Sequence, residues 1–378
     1  MGVSLNYYIF GAHPRGWTLY QYLKTLESES RILGFLYDND EKNPYEIDGV
    51  RVIKLNSIND LSIDLSAAVY IATRGVFHKK IINELKKFGF KYIIPVTPQL
   101  DTDLRNRYVN QIFLSNGRKF VKIDNLLHCK DVDICNSNNA EWNLSYDNSH
   151  AKVYIAKTIF DSDFKNRVDI KTYETIIQAG SSLANQKLIE ASDYDDTDEN
   201  ISTRNAQFCE LTAFYWIWKH TKEDIIGLEH WRRRFLLPDL WQDIMMTNGI
   251  DVMLPVPLCV MPSLEENYKS RHLPEIWDKC MDILKELQPN DFDNAMSFFK
   301  NTNLYSPCNM IIAKREIISE YCEWLFPMLL KLNDEVGVLE DKYQNRYPGF
   351  LAERLLNYFF EKNRDRFRIA YADKSFLS

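Results

Sequence analysis

An α/β fold in two domains is what this sequence predicts, on three observations. Its 378 residues exceed one average domain. The first hundred residues alternate short apolar runs with amphipathic patterns, which implies a mainly parallel sheet carrying helices on its faces. A polar, Asn-rich stretch, NSNNAEWNLSYDNSH at 136–150, then separates this series from a second one that opens with KVYIAK at 152–157.

Residues 1–100 form the first domain. Strands are predicted over Leu5–Gly11, Ile32–Tyr37 (ending at Asp38), Val69–Thr73 and Tyr92–Val96, with helices over Trp17–Leu26 and Val76–Phe88. The turn Gly11-Ala12-His13-Pro14-Arg15-Gly16 sits where a dinucleotide fold keeps its glycine loop. Ala12, His13 and Pro14 crowd it, and Pro14 removes a donor, so a structural or substrate-docking role is preferred to a cofactor site. Residues 101–150 read as a connecting segment, with a short strand at Phe120–Ile123 and the boundary near Ser149.

The second domain, 151–378, is organised around NAQFCELTAFYWIWKHTKEDIIGLEHWRRRF at 205–235. Phe208, Leu211, Phe214, Tyr215 and Trp218 have helical spacing, and Ile225–Leu228 reads as a buried strand. That strand ends in Glu229, His230, Trp231, Arg232, Arg233 and Arg234. Ligands of open α/β sheets bind beyond the carboxyl ends of strands, so guanidinium groups there point to an anionic ligand such as a diphosphate. A solvated arginine run is the alternative.

Upstream, a helix-like piece spans Ser182–Ala191, and Asp193, Asp195 and Asp196 open an acidic segment. Those carboxylates offer oxygen ligands for a divalent cation, Mn or Mg, or else form an exposed loop; the loop is favoured because no D-x-D follows a buried strand. Downstream, Asp251–Val256 and Ser306–Ala313 read as strands, and Ile276–Glu286 and Ile317–Leu332 as helices. Pro348 and Gly349 mark the start of a last helix running to Phe360, with Glu353 near its first turns.

The 45% hydrophobic and 13% aromatic content is ample for packed cores. With 46 Lys plus Arg against 53 Asp plus Glu, the net charge of -7 argues against general nucleic-acid binding. The 7 cysteines show no C-x-x-C pair and read as reduced thiols in the cytoplasm. The N-terminus does not read as a signal peptide, and no apolar run approaches the ~18 residues of a spanning helix. Peripheral association with the inner face of a membrane, through the Trp- and Phe-rich segments, stays open.

Four ordered motifs carry a resemblance: DTDENISTRNAQFCELTAFYWIWK at 196–219, IIGLEHWRRRF at 225–235, EYCEWLFPML at 320–329 and YPGFLAERLLNYFF at 347–360. They are similar to the C-terminal domain of bacterial capsular and exopolysaccharide glycosyltransferases, a family long filed as a domain of unknown function. Its signature is usually His-Tyr-Arg-Arg; here Trp231 replaces the tyrosine and loses a phenol. The first hundred residues, through the pattern FGA…G…GFLYDND, resemble the Rossmann-like N-terminal domain of sugar acetyltransferases.

The resemblance implies a GT-A-like domain that moves a sugar from a UDP-sugar to a glycan or lipid-linked glycan. A galactose, pyranose or furanose, is the leading donor. His230, Arg232 and Arg233 are then expected at the diphosphate, partly or wholly replacing a metal, with Asn200, Asn205 and Glu210 shaping the donor pocket. Glu353 is the expected general base, and His272 and Asn309 are expected acceptor contacts. Each has a plainer reading: an N-cap for Asn205, a helix-face ion pair for Glu210, a salt bridge to Arg354 for Glu353, a structural imidazole for His272. A non-catalytic polyanion-binding component of polysaccharide assembly is the alternative function. A nucleotide-sugar-modifying oxidoreductase or epimerase is a third, against which the crowded glycine turn argues.

Overall fold

A computed structural model describes residues 6–38, 43–60, 63–126, 151–164 and 168–377. The chain divides into two compact units, Met1–Phe120 and Val121–Ser378. The polar stretch 136–150 and Cys129 and Cys135 lie outside the described residues. The other five cysteines are free thiols. Among the described residues no helix is long and apolar enough to cross a membrane.

The first unit contains β1 (Tyr7–Phe10), α1 (Pro14–Leu26), β2 (Ile32–Tyr37), β3 (Val50–Lys54), β4 (Ala68–Ile71), α2 (His78–Lys87), β5 (Ile93–Pro95) and α3 (Pro98–Ser115). The strands pair in parallel in the order β3-β2-β1-β4-β5, with Glu46–Ile47 antiparallel on the β3 edge. Continuous apolar runs suit strands covered on both faces, and all four residues of β1 are buried. Pro14 opens α1 at a position whose missing N–H costs nothing. A Cβ on Gly16 would stand 1.8 Å from the Gly11 carbonyl oxygen, so the helix rests on the turn only through glycine. The expected boundary at residue 100 falls inside α3, which Thr97 caps by accepting from the Leu100 N–H. The strand expected at Phe120–Ile123 is a single bridge, Lys122 to Tyr371, followed by a 3-10 turn.

The second unit begins with β6 (Ala151–Lys157), β7 (Glu174–Gln178), α4 (Asn205–Phe208), α5 (Leu211–His220), β8 (Ile225–His230) and β9 (Arg233–Phe235). There follow α6 (Trp241–Thr247), β10 (Val252–Pro255), α7 (Leu264–Lys269), α8 (Pro274–Leu287), α9 (Phe292–Asn301) and β11 (Ile311–Lys314). The chain closes with α10 (Arg315–Val336), α11 (Tyr347–Lys362), β12 (Ile369–Ala372) and β13 (Lys374–Phe376). The sheet order is β12-β10-β11-β8-β6-β7 and then the two-residue strand Asp193–Tyr194. Every neighbouring pair is parallel except those made by β11, which runs against both β8 and β10. One face packs Val153, Met253 and Ile312 on Trp241 and Ile244 of α6. Each such fully buried apolar side chain contributes roughly 1.5–3 kcal/mol.

The single helix expected from Asn205 to Trp218 is two helices. Cys209 adopts φ 50° between them, and the Asn205 amide ties the corner by donating to the Cys209 carbonyl and the Thr212 hydroxyl. The helix expected at Ser182–Ala191 is one 3-10 turn and a loop. Gln178, fully buried, holds that loop through the Gln186 carbonyl and the Leu188 N–H.

Asp195 is buried completely and accepts from the Gly180 N–H (2.8 Å), the Ser181 N–H (2.9 Å) and the Ser202 hydroxyl (2.6 Å). It therefore anchors the loop rather than a cation. Asp195→Ala leaves three donors without an acceptor, at roughly 1–3 kcal/mol for each buried one, so the urea midpoint should fall by the equivalent of at least about 3 kcal/mol. An unchanged midpoint would contradict this anchoring role.

Candidate active site

The arginine run acquires its meaning from a hairpin. β8 enters it beside β11, so close that a Cβ on Gly227 would stand 2.6 Å from Ile312 Cγ1. Trp231 and Arg232 then make a two-residue turn, and β9 returns with Arg233 opposite His230. Residues opposed across an antiparallel pair share a face, while their neighbours along the strand point to the other. His230 and Arg233 accordingly emerge together on one face. Glu229 and Arg234 go to the other, where both are buried. There Arg234 Nη1 meets Glu174 Oε2 at 2.9 Å, and the Phe235 N–H donates to Glu229 Oε1 at 2.9 Å. Glu229 Oε2 and Arg234 Nε and Nη2 have no hydrogen-bond partner.

Because β11 runs antiparallel to β8, the residues just before it return beside the end of β8. His230 Nε2 donates to the Cys308 carbonyl at 2.5 Å; a carbonyl only accepts, so that nitrogen carries a proton. The Cys308 N–H donates to Glu353 Oε1 at 2.9 Å, and Arg354 Nη1 lies 3.0 Å from Glu353 Oε2. Asn309 Nδ2 bridges Glu210 Oε1 (2.8 Å) and the Gly349 carbonyl (3.1 Å). Arg346 Nε reaches Cys209 Sγ at 3.0 Å. Residues 346, 349, 350 and 353 fall on one helical face, and that face of α11 is turned to a cleft of about 210 Å³. Cys209, Glu210, His230, Arg233, Cys308 and Tyr343 complete its lining.

Cys209, Cys308 and Asn309 all have left-handed backbone, φ 50°, 75° and 50°. Non-glycine residues held there carry strain of the kind that gathers at functional sites. Arg233 and Arg346 make no ion pair with a described residue, although the cleft also holds Glu210 and Glu353. Burial, with the Glu210 charge, pushes the Glu353 carboxyl above its ordinary range, against the pull of Arg354, the Cys308 N–H and His230. Burial pushes the Cys209 and Cys308 thiols up to about 11, so both stay protonated near neutrality.

The structure thus brings together Glu210, His230, Arg233, Asn309 and Glu353 of the residues singled out from sequence. It places the others elsewhere. Arg232, on the turn, donates from Nη2 to the Ser162 carbonyl at 3.1 Å. Asn200 shapes its own turn, donating to the Asp198 carbonyl and accepting from the Ser202 N–H. Asn205 is occupied by the helix corner. Buried His272 stacks on Phe350 (4.1 Å, 25°) behind the cleft wall, where burial holds its pKa down to about 4. Trp231 is no ligand platform: its ring is buried, stacked on Phe164 at 4.5 Å with Lys157 Nζ 3.6 Å above its centre. Asp193 pairs with Lys152 and Asp196 with Lys187, and Asp195 serves backbone donors. Among the described residues no group of three His, Cys, Asp or Glu is placed to hold a metal ion. The three carboxylates of the acidic segment are thus each taken up by an internal partner. Sequence reasoning passed over Tyr343, Arg346, Gly349 and Phe350, although the last three share the i, i+3/i+4, i+7 face that ends at Glu353.

A family model described as a domain of unknown function (DUF4422) matches residues 162–364, more than half of the chain. The chain belongs to this family. The matched DUF4422 region contains every residue that lines the cleft. Among solved structures, the chain is similar to one described as the WbbM bifunctional glycosyltransferase in its apo form. The identity is 22% and the TM-score 0.52, covering 60% of this chain and 45% of that one. The likeness is one of fold, over less than half of the WbbM chain. Among curated proteins none matches.

The buried hairpin cluster sets a pH dependence. Burial and the Glu174 charge push Glu229 up to about 8, against Phe235 N–H and Arg234. A carboxyl with a raised folded pKa contributes stability that is complete below its unfolded value and is lost as pH rises through the folded one. The melting temperature should therefore fall from about pH 5 to about pH 9, and Glu229→Gln, neutral throughout, should flatten that fall. Parallel profiles for the two proteins would rule out the cluster as its source.

Proposed function

We propose that this chain is a nucleotide-sugar-dependent glycosyltransferase with a GT-A-like second domain. It moves a sugar from a UDP-sugar, with galactose in pyranose or furanose form as the leading donor, to a capsular, exopolysaccharide or lipopolysaccharide glycan. The observation that carries this reading is the convergence of two guanidinium groups without ion-pair partners, Arg233 and Arg346, on a cleft that also holds a carboxylate of raised pKa, Glu353. The fold shared with a glycosyltransferase supports it.

In such a transfer, negative charge builds on the departing diphosphate while the acceptor hydroxyl loses its proton. Arg233 and Arg346 are the cationic groups for the first demand, with His230 beside Arg233 on the same face, and the amino end of α11 adds a positive potential. Glu353 meets the second: burial and the Glu210 charge raise its pKa, which makes it a stronger base than an ordinary carboxylate. The cleft is smaller than the ~300 Å³ of pockets for drug-sized ligands. It takes the reacting end of the donor rather than the whole nucleotide. Transfer takes place in the cytoplasm, with the glycan acceptor presented at the inner face of the membrane.

Calorimetric titration of UDP, with manganese and with chelator, tests this reading. Binding in chelator is expected, and Arg233→Ala should weaken it by more than tenfold, about 1.4 kcal/mol. Glu353→Gln should keep UDP affinity and lose about 10²–10⁴ in turnover, while wild-type turnover should fall at acid pH as Glu353 takes up a proton. Unchanged affinity in the first variant or full turnover in the second sinks the assigned role; no UDP binding under any condition favours a non-catalytic polyanion binder.

Gly349 offers a further check. No atom lies within 4 Å of a Cβ built there, so Gly349→Ala intrudes only on open cleft space. Alanine gains up to about 1 kcal/mol of helix propensity. The variant should melt no lower than wild type and bind UDP-galactose more weakly; full binding would place the sugar elsewhere.

A further inference from the structure

One wall of the cleft is aromatic. Tyr343 lines it while remaining 54% exposed. Its ring is backed by His272 (5.7 Å, 22°) and Phe350 (5.0 Å, 44°), themselves stacked. Exposed rings usually ride on loose loops, but this one does not. Asp341 Oδ1 accepts from the Tyr343 N–H (2.8 Å) and the Gln344 N–H (2.9 Å), and Asn345 Oδ1 accepts from the Leu339 N–H (2.8 Å). Gln344 donates to the Arg271 carbonyl and accepts from His272 Nδ1. The loop is tied at each of these points, whereas the Tyr343 hydroxyl makes no hydrogen bond to a described residue.

Resting on the transferase reading above, we infer that Tyr343, stiffened by His272 and Phe350, is the platform on which the acceptor sugar ring lies. A pyranose has one face of weakly positive C–H groups, which suits the negative face of an aromatic ring, and an edge of hydroxyl groups. The groups around the platform match that edge. Glu210 and Glu353 in the cleft lining accept from its hydroxyl groups.

Tyr343 and Glu353 line the same cleft, so a ring lying on the platform presents its hydroxyl edge to the space the proposed base faces. That position belongs to the acceptor, since the departing diphosphate is matched to Arg233 and Arg346. A uracil ring is the competing occupant. It presents two carbonyl oxygens and one N–H, and its oxygens would meet carboxylates; a sugar presents donors.

The test uses the full chain and a panel of methyl pyranosides, read by saturation-transfer NMR, with UDP affinity measured in parallel. Wild type should show transfer to the ring C–H protons of at least one glycoside with UDP present. Tyr343→Phe should keep the signal. Tyr343→Ala should weaken glycoside binding by about tenfold or more while changing UDP affinity by less than about twofold. UDP binding without a Tyr343-dependent glycoside signal overturns the platform and leaves the transferase reading standing. A parallel loss of UDP affinity in Tyr343→Ala puts the nucleobase on the ring and overturns it too. A wild type that binds neither UDP nor any glycoside overturns the transferase reading and the platform together.

Discussion

The pairing of His230 with Arg233 across a two-residue turn is the constraint on which the cleft depends. A run of three consecutive arginines on an extended strand would spread its charges over both faces. Folding it back at Trp231 and Arg232 assigns each arginine a separate environment. Arg234 is drawn beneath the sheet to Glu174 and Glu229. Arg232 is left on the turn at the Ser162 carbonyl. Only Arg233 joins His230 above the sheet. The buried group holds two carboxylates against one guanidinium, and Glu229 keeps its proton because two ionised carboxylates beside one cation in a dry interior would be unstable. This neutral arrangement fixes the underside of the hairpin and, through it, the direction of the two side chains on top.

The remaining walls come from chain segments far apart in sequence, and each arrives through a local irregularity. The break at Cys209 turns Glu210 out of what would have been a helix interior. The left-handed residues Cys308 and Asn309 interrupt the approach to β11 and present a carbonyl to His230 and an N–H to Glu353. Asn309 then links the first irregularity to α11 through Glu210 and the Gly349 carbonyl. These contacts make a small rigid frame. In a chain of net charge -7, that frame concentrates two guanidinium groups without ion-pair partners at one strand end. Local concentration of this kind, rather than overall charge, attracts an anionic ligand to a cleft.

Much of the layout was legible in the sequence because apolar periodicity reports burial directly. The strands IIGL and KVYIAK, the long helix after Arg315 and the final helix opened by Pro348 and Gly349 all follow from it. The strand-end cluster was also readable as a concentration of charge at the end of a buried strand, and two of its members line the cleft. Less legible was which members of that cluster would serve. Arg232 and Arg233 are adjacent and chemically identical, and only the turn register separates them. His272 and Asn205 carry groups suited to binding, yet each is taken up by an internal partner, Gln344 for one and the Cys209 corner for the other.

By itself the sequence determined the α/β class, the order of most elements, a cationic strand end, and a last helix that carries Glu353. Those properties reside in residue type and spacing along one element. The tertiary structure alone decided that Tyr343, Arg346 and Phe350 share a cleft with His230 and Arg233, and that Asp195 is buried against the Gly180 and Ser181 N–H groups and the Ser202 hydroxyl. The physical reason is that antiparallel insertion of β11 and the helix break at Cys209 join segments about a hundred residues apart. Hydrogen bonds between backbone and side chain then set the final orientation of each group, and no periodicity within a single segment records them.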